Sequence, residues 1–173
     1  NENGVVFGKD AIIDVGSLIA TSANLSNQNF LDSEFVFEQK SRKSKIQNFG
    51  HILTDDHGHV VLISPEIVNE GYIVAKKGNV FLAGGKSVEL KFDGNEKLNG
   101  IHVEPGDWQT LVENKKVIEV GEGQVILSAS GYNELKGGLV RNSGQLSATS
   151  AIQVGGRIIL VGEEIELAST SSV

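Results

Sequence analysis

Apolar and polar residues alternate along most of the chain in short runs, with apolar side chains at i and i+2. That is the period of a strand, not the 3.6-residue period of a helix. Four segments repeat one pattern: an asparagine, a turn, a short alternating strand, a glycine turn and a short apolar strand. The first runs Ile46-Gln47-Asn48-Phe49-Gly50-His51-Ile52 and leads to Gly58-His59-Val60-Val61-Leu62-Ile63. The second runs from Val68-Asn69-Glu70-Gly71 to Val80-Phe81-Leu82. The third runs from Val112-Glu113-Asn114 to Val125-Ile126-Leu127, and the fourth from Val140-Arg141-Asn142-Ser143-Gly144 to Ile158-Ile159-Leu160.

Asn48 and Asn69 are 21 positions apart, Asn69 and Asn114 are 45 apart, and Asn114 and Asn142 are 28 apart. The spacing reads as one unit of about 22 residues, then about two units, then one unit with an insertion near Ala151–Gln153. Units this short cannot hold a core alone and must stack. The fold class predicted is all-β: a right-handed, single-stranded parallel β-helix. Seven or eight coils at ~4.8 Å each would make a rod of roughly 35–40 Å. Val60, Leu62, Val80, Leu82, Val125, Leu127, Ile158 and Leu160 are apolar in all four units and are assigned inward. Val61, Phe81, Ile126 and Ile159 are the opposite phase. Valine and isoleucine together number 34 of 173 residues, the β-branched enrichment that strands favour. A β-sandwich also yields many short strands but leaves the recurrent Asn-x-Gly register without a cause.

Asn48, Asn69, Asn114 and Asn142 are read as coil corners whose side chains bond to local backbone and to one another along the rod. Gly50, Gly71 and Gly144 are read as supplying positive φ there. Lys116 stands where the third unit needs glycine, so that corner is expected to differ.

Three stretches break the register, one of them the insertion in the fourth unit. Residues 17–49 contain no glycine; Ser26-Asn27 should cap a short helical turn, and Phe35-Val36-Phe37 should form a strand. Val88–Phe92 and Asn99–Val103 flank Asp-Gly and Asn-Gly signals and predict an extra-helical hairpin projecting from the rod.

Composition narrows the function. Twenty-one glycines in 173 residues are scattered and mark turns. There is no cysteine and no methionine, which removes disulfides, thiolate metal sites and thiol nucleophiles. Without Met the chain reads as processed, or as a piece of something longer, with residues 1–173 forming a single β-helix domain. A net charge of −7 and a pI near 5.1 argue against nucleic acid as a partner. Lys40, Arg42, Lys43 and Lys45 form a basic loop on this acidic chain, either solvated or a contact for an acidic partner.

Asp55-Asp56-His57-Gly58-His59 is the best metal candidate, because an H-x-H pair in a strand puts both rings on one face. The competing reading is a solvated turn, and no metal or other cofactor is expected. Gly84-Gly85-Lys86-Ser87 ends like a phosphate loop, but Val80 occupies the position of its first glycine and a strand pattern follows. No serine lies in a nucleophile-elbow frame. Glycosidase chemistry needs carboxylates gathered on one face, and Asp32 and Asp55 are separated by an irregular stretch. The chain is read as a non-enzyme.

The opening stretch Asn1-Glu2-Asn3-Gly4-Val5, taken with the Asn-x-Gly repeats, resembles the secretion domain of filamentous-haemagglutinin-like exoproteins. These belong to bacterial two-partner secretion systems. The family motif is Asn-Pro-Asn-Gly-Ile; here glutamate replaces proline, which frees φ at position 2. The resemblance covers nearly the whole chain but lacks the family's upstream cap and its further Asn-Pro-Asn motif. It implies Asn1, Asn3, Gly4 and Val5 as the secretion motif and an outer-membrane pore transporter as partner. It implies periplasmic transit to the outside or the bacterial surface. A host or neighbouring cell receptor would be met through a longer adhesin, cytolysin or toxin-delivery protein. Two readings stay open beside it: a β-helical carbohydrate-active enzyme, and an adhesin fragment that binds ligand directly.

Overall fold

The structure, a computed structural model, describes residues 1–95, 97–131, 137–148, 156–169 and 171–173. The expected insertion at Ala151–Gln153 lies outside them. Three parallel sheets wind around one core. The first coil comprises β1 (Val5–Phe7), β2 (Ile12–Val15) and β3 (Leu18–Thr21). After an excursion through β4 (Asn24–Leu25), α1 (Asn27–Leu31) and β5 (Val36–Glu38), the second coil is β6 (Lys45–Asn48), β7 (His51–Thr54) and β8 (Val60–Ile63). The third is β9 (Glu66–Asn69), β10 (Tyr72–Ala75) and β11 (Val80–Gly84). A hairpin, β12 (Ser87–Phe92) and β13 (Leu98–Glu104), precedes the fourth coil, β14 (Thr110–Asn114), β15 (Val117–Val120) and β16 (Gln124–Ala129). The fifth is β17 (Gly138–Asn142), β18 (Gln145–Ala148) and β19 (Arg157–Val161), and β20 (Glu164–Leu167) adds one more strand. Strand orders β1-β6-β9-β14-β17-β20, β2-β7-β10-β15-β18 and β3-β8-β11-β16-β19 define the parallel β-helix.

The described strands make five coils, not seven or eight. The six strands of the longest sheet span roughly 24 Å at the usual inter-strand spacing. The difference is the chain spent outside the helix. Asn69 pairs in register with Asn114, so the 45-residue gap is one coil carrying an inserted hairpin.

Val60, Leu62, Val80, Leu82, Val125 and Leu127 fill the interior, with Ile158 and Leu160 packed against them. The opposite phase is also buried. Val61, Phe81 and Ile126 form a second cluster with Ala23, Phe37, Val88, Leu90 and Leu98 on the outer face. The antiparallel sheet β4-β5-β12-β13 covers them. The hairpin therefore lies flat on the rod instead of projecting, because the outer face it meets is as apolar as the inner one. This cover ends before β19, where Ile159 and Val161 remain exposed. The hairpin turns at Asp93-Gly94, whose Asp93 Oδ1 accepts from Asn95 and Lys97 N–H; Asn99-Gly100 lies within β13. Ser26 caps α1, its hydroxyl accepting from Asn29 N–H at 3.0 Å.

Candidate functional site

The opening residues form a tight turn that starts the first coil. Gly4 N–H donates to Asn1 O at 2.9 Å, and Asn3 N–H donates to Asn1 Oδ1 at 3.2 Å. Gly4 has φ +94°, and a Cβ there would sit 2.2 Å from Lys45 O. Both facts require glycine. Val5 then pairs with Ile46. The side chain that closes this turn is that of Asn1, while Asn3 contributes backbone.

The corner asparagines stack. Asn48 Nδ2 donates to Asn69 Oδ1, Asn69 Nδ2 to Asn114 Oδ1 and Asn114 Nδ2 to Asn142 Oδ1, at 2.8–2.9 Å. All four are buried, which matters because a buried amide must find partners. Asn142 ends the ladder by donating to Gly144 O, and Phe7 and Leu167 occupy the flanking rungs.

The glycines beside them have a different cause from the one expected. Gly50, Gly71 and Gly144 do not have positive φ. They are required by stacking: a Cβ on Gly71 would lie 2.1 Å from Gly50 O, and one on Gly144 would lie 2.1 Å from Lys116 O. The third corner does differ. The Val117 N–H to Gly71 O bond is 3.3 Å, against 2.9 Å for Tyr72 N–H to Gly50 O, and Lys116 Nζ sits 4.5 Å from the Tyr72 ring centre.

His57 and His59 lie before β8, in a turn, so the strand premise for paired rings fails. His57 is exposed at φ 67°. His59 is half-buried, and its Nδ1 accepts from Asn79 N–H at 3.0 Å. Burial lowers the His59 pKa below its usual 6.5, with the nearby His57 charge acting in the same direction. Among the described residues no three His, Asp or Glu side chains converge to hold a metal. Asp56 is instead paired with Lys77 at 2.7 Å.

The basic loop is anchored from beneath. Gln39 is buried and its Nε2 donates to Ser41 O and Ser44 Oγ, while Ser22 Oγ lies 3.1 Å from Gln39 Oε1. Lys45 leaves the loop as the first residue of β6 and pairs with Glu66 at 2.7 Å. Lys40, Arg42 and Lys43 are exposed and face the loop that returns from β13. There Arg42 bridges Asp107 at 2.7 Å and lies 5.4 Å from the Trp108 ring centre. A Cβ on Gly106 would sit 2.8 Å from the indole, so the bare backbone supports it. Trp108, which the sequence did not single out, and Lys86, considered there only as the end of a phosphate loop, complete this cleft. The signal was available: the chain's one tryptophan follows a Pro-Gly-Asp turn.

The profile of the TPS secretion domain matches residues 1–173. The chain belongs to the TPS secretion domain family. The domain is 29% identical, over 100% of its length, to a "Heme/hemopexin-binding protein" of Haemophilus influenzae strain Rd, and covers 19% of that protein. A second "Heme/hemopexin-binding protein" of Haemophilus influenzae is 27% identical and 20% covered. The chain thus spans about a fifth of the length of these relatives. The crystal structure of the HMW1 secretion domain from Haemophilus influenzae superposes with a TM-score of 0.70 at 24% identity. That match covers 99% of this chain and 51% of the other, and it is a likeness of β-helical fold. The domain is a secretion module of the filamentous-haemagglutinin-like type, and membership implies recognition by an outer-membrane transporter.

Proposed function

We propose that this domain serves, without catalysis, as the export address of a larger adhesin, cytolysin or toxin-delivery protein. The match of the secretion-domain family over residues 1–173 carries this reading. The exported protein reaches the outside or the bacterial surface, where any host or neighbouring cell receptor is met by the full-length protein and not by this domain. The Asn1–Val5 turn sets the first coil and so presents its edge. The transporter adds a strand to an open edge, with backbone bonds giving affinity and side-chain pockets giving selectivity. The outer edges of β4 and β13 are unpaired among the described strands, which supports this mode. The non-enzymatic reading is supported by the outer-face carboxylates: Glu113 and Glu166 are both engaged by Arg141.

The test is export. A reporter fused after residue 173 should appear outside cells that carry the cognate transporter and stay in the periplasm of cells that lack it. Export without the transporter, or hydrolysis of acidic polysaccharide by the purified chain, would overturn the reading.

A further inference from the structure

The cleft around Trp108 is accounted for neither by the coil repeat nor by the opening turn. It lies where the return loop of the hairpin meets the basic loop, at the start of β6, β9 and β14. It consists of two hollows that meet at Arg42 and Trp108: Lys43 and Glu66 line one, and Lys40, Lys86 and Asp107 line the other. Glu66 is taken by Lys45 and Asp107 by Arg42. Lys40, Lys43 and Lys86 form no ion pair among the described residues, on a chain of net charge −7.

Three further observations point to a built surface. The basic loop is held by buried Gln39 and its serine contacts. Trp108 packs against the Gly106 backbone and lies beside the Arg42 guanidinium. The Arg42–Asp107 pair is exposed on both sides and yields easily to a competing carboxylate.

We propose that this cleft receives an extended acidic segment of the outer-membrane transporter. Its carboxylates sit among Lys40, Lys43 and Lys86, and Trp108 is the central anchor. A polypeptide with spaced carboxylates fits better than a uniform polyanion. Glu66 and Asp107 interrupt the cations, and the acidic remainder of the domain repels a continuous negative chain. The inference rests on the secretion reading and adds a charged side-chain contact to the strand addition proposed there.

Binding of the purified chain to the full-length transporter in nanodiscs tests it. Lys43→Glu with Lys86→Glu should weaken binding by about tenfold or more, and raised salt should weaken the wild type in the same direction. Lys9→Glu with Lys97→Glu, at exposed cations outside the cleft, should leave binding unchanged. A photo-crosslinker at position 43 should join an Asp/Glu-rich segment of the transporter. Equal binding by the Lys43/Lys86 variant, equal loss from the Lys9/Lys97 variant, or a crosslinked segment without acidic residues would overturn the inference and leave the secretion reading standing. Failure of the wild-type chain to bind the transporter would overturn both. Unchanged denaturation midpoints for the variants keep loss of fold separate from loss of contact.

Discussion

Asn69 Nδ2 donates to Asn114 Oδ1 at 2.8 Å, across 45 residues of sequence, with both side chains fully buried. The bond closes the one coil from which the hairpin departs. It shows how the helix tolerates a 24-residue excursion, residues 86–109, without losing register: the rung on each side of the insertion is fixed by the same amide pair.

Asn69→Ala should therefore be among the most damaging polar substitutions. It leaves Asn48 Nδ2 and Asn114 Oδ1 without their ladder partners, and each buried unpaired group costs about 1–3 kcal/mol. Chemical denaturation should show a fall of that order or more. A loss below about 0.5 kcal/mol, the size of an ordinary surface change, would mean the ladder adds little.

Gly71→Ala should destabilise by about 1–3 kcal/mol through overpacking, although Gly71 does not have positive φ. The added Cβ meets Gly50 O at 2.1 Å, a backbone atom that cannot swing away. Lys116→Gly, which restores the repeat's glycine, should not stabilise, because it removes the Lys116–Tyr72 contact and adds unfolded-state entropy. Thermal unfolding of the two variants side by side checks both signs.

At the opening turn, Asn1 and Asn3 should separate stability from recognition. Asn1→Ala removes the Oδ1 acceptor for Asn3 N–H and should cost about 0.5–1 kcal/mol, the lower range for loss of a cap. Asn3→Ala removes a side chain that makes no hydrogen bond within the turn, so stability should hold. If the motif is read by the transporter, Asn3→Ala lowers export more than Lys9→Ala does. Unchanged export at normal cellular levels would take Asn3 out of recognition.

His59 should make the fold pH-sensitive near neutrality. Its folded pKa lies below 6.5, chiefly because burial disfavours the charged ring. The unfolded chain therefore binds the proton more tightly, and the stability that His59 contributes is full above pH 6.5. It is lost as pH falls from 6.5 through the lowered folded value. Protonation also removes the Nδ1 acceptor for Asn79 N–H. His59→Gln should flatten the fall in denaturation midpoint below pH 6.5; an unchanged slope would assign it to other groups.

Much of this fold is local and was therefore legible in the chain. Period-2 alternation, short runs and the Asn-x-Gly corners dictate stacked strands; Val60, Val80, Val125 and Ile158 face the core as assigned, although Val61, Phe81, Ile126 and Ile159 are equally apolar across the repeats. Ser26 announced a helix start because capping depends on neighbours three residues away. What the sequence could not reveal depends on residues far apart along it. Val61 and Phe81 look like surface positions until an antiparallel sheet built from residues 24–38 and 87–104 covers them. The 45-residue gap looks like two coils until Asn69 and Asn114 are seen as adjacent rungs. The corner glycines suit a turn on sequence grounds, yet the carbonyl of the preceding coil, not backbone φ, excludes a side chain there. The Trp108 cleft joins residues 40–43 to residues 86 and 105–108. Strand period and turn chemistry act over a few residues. Which faces are covered and which charges meet is decided by packing between coils and excursions, and only the folded chain holds that.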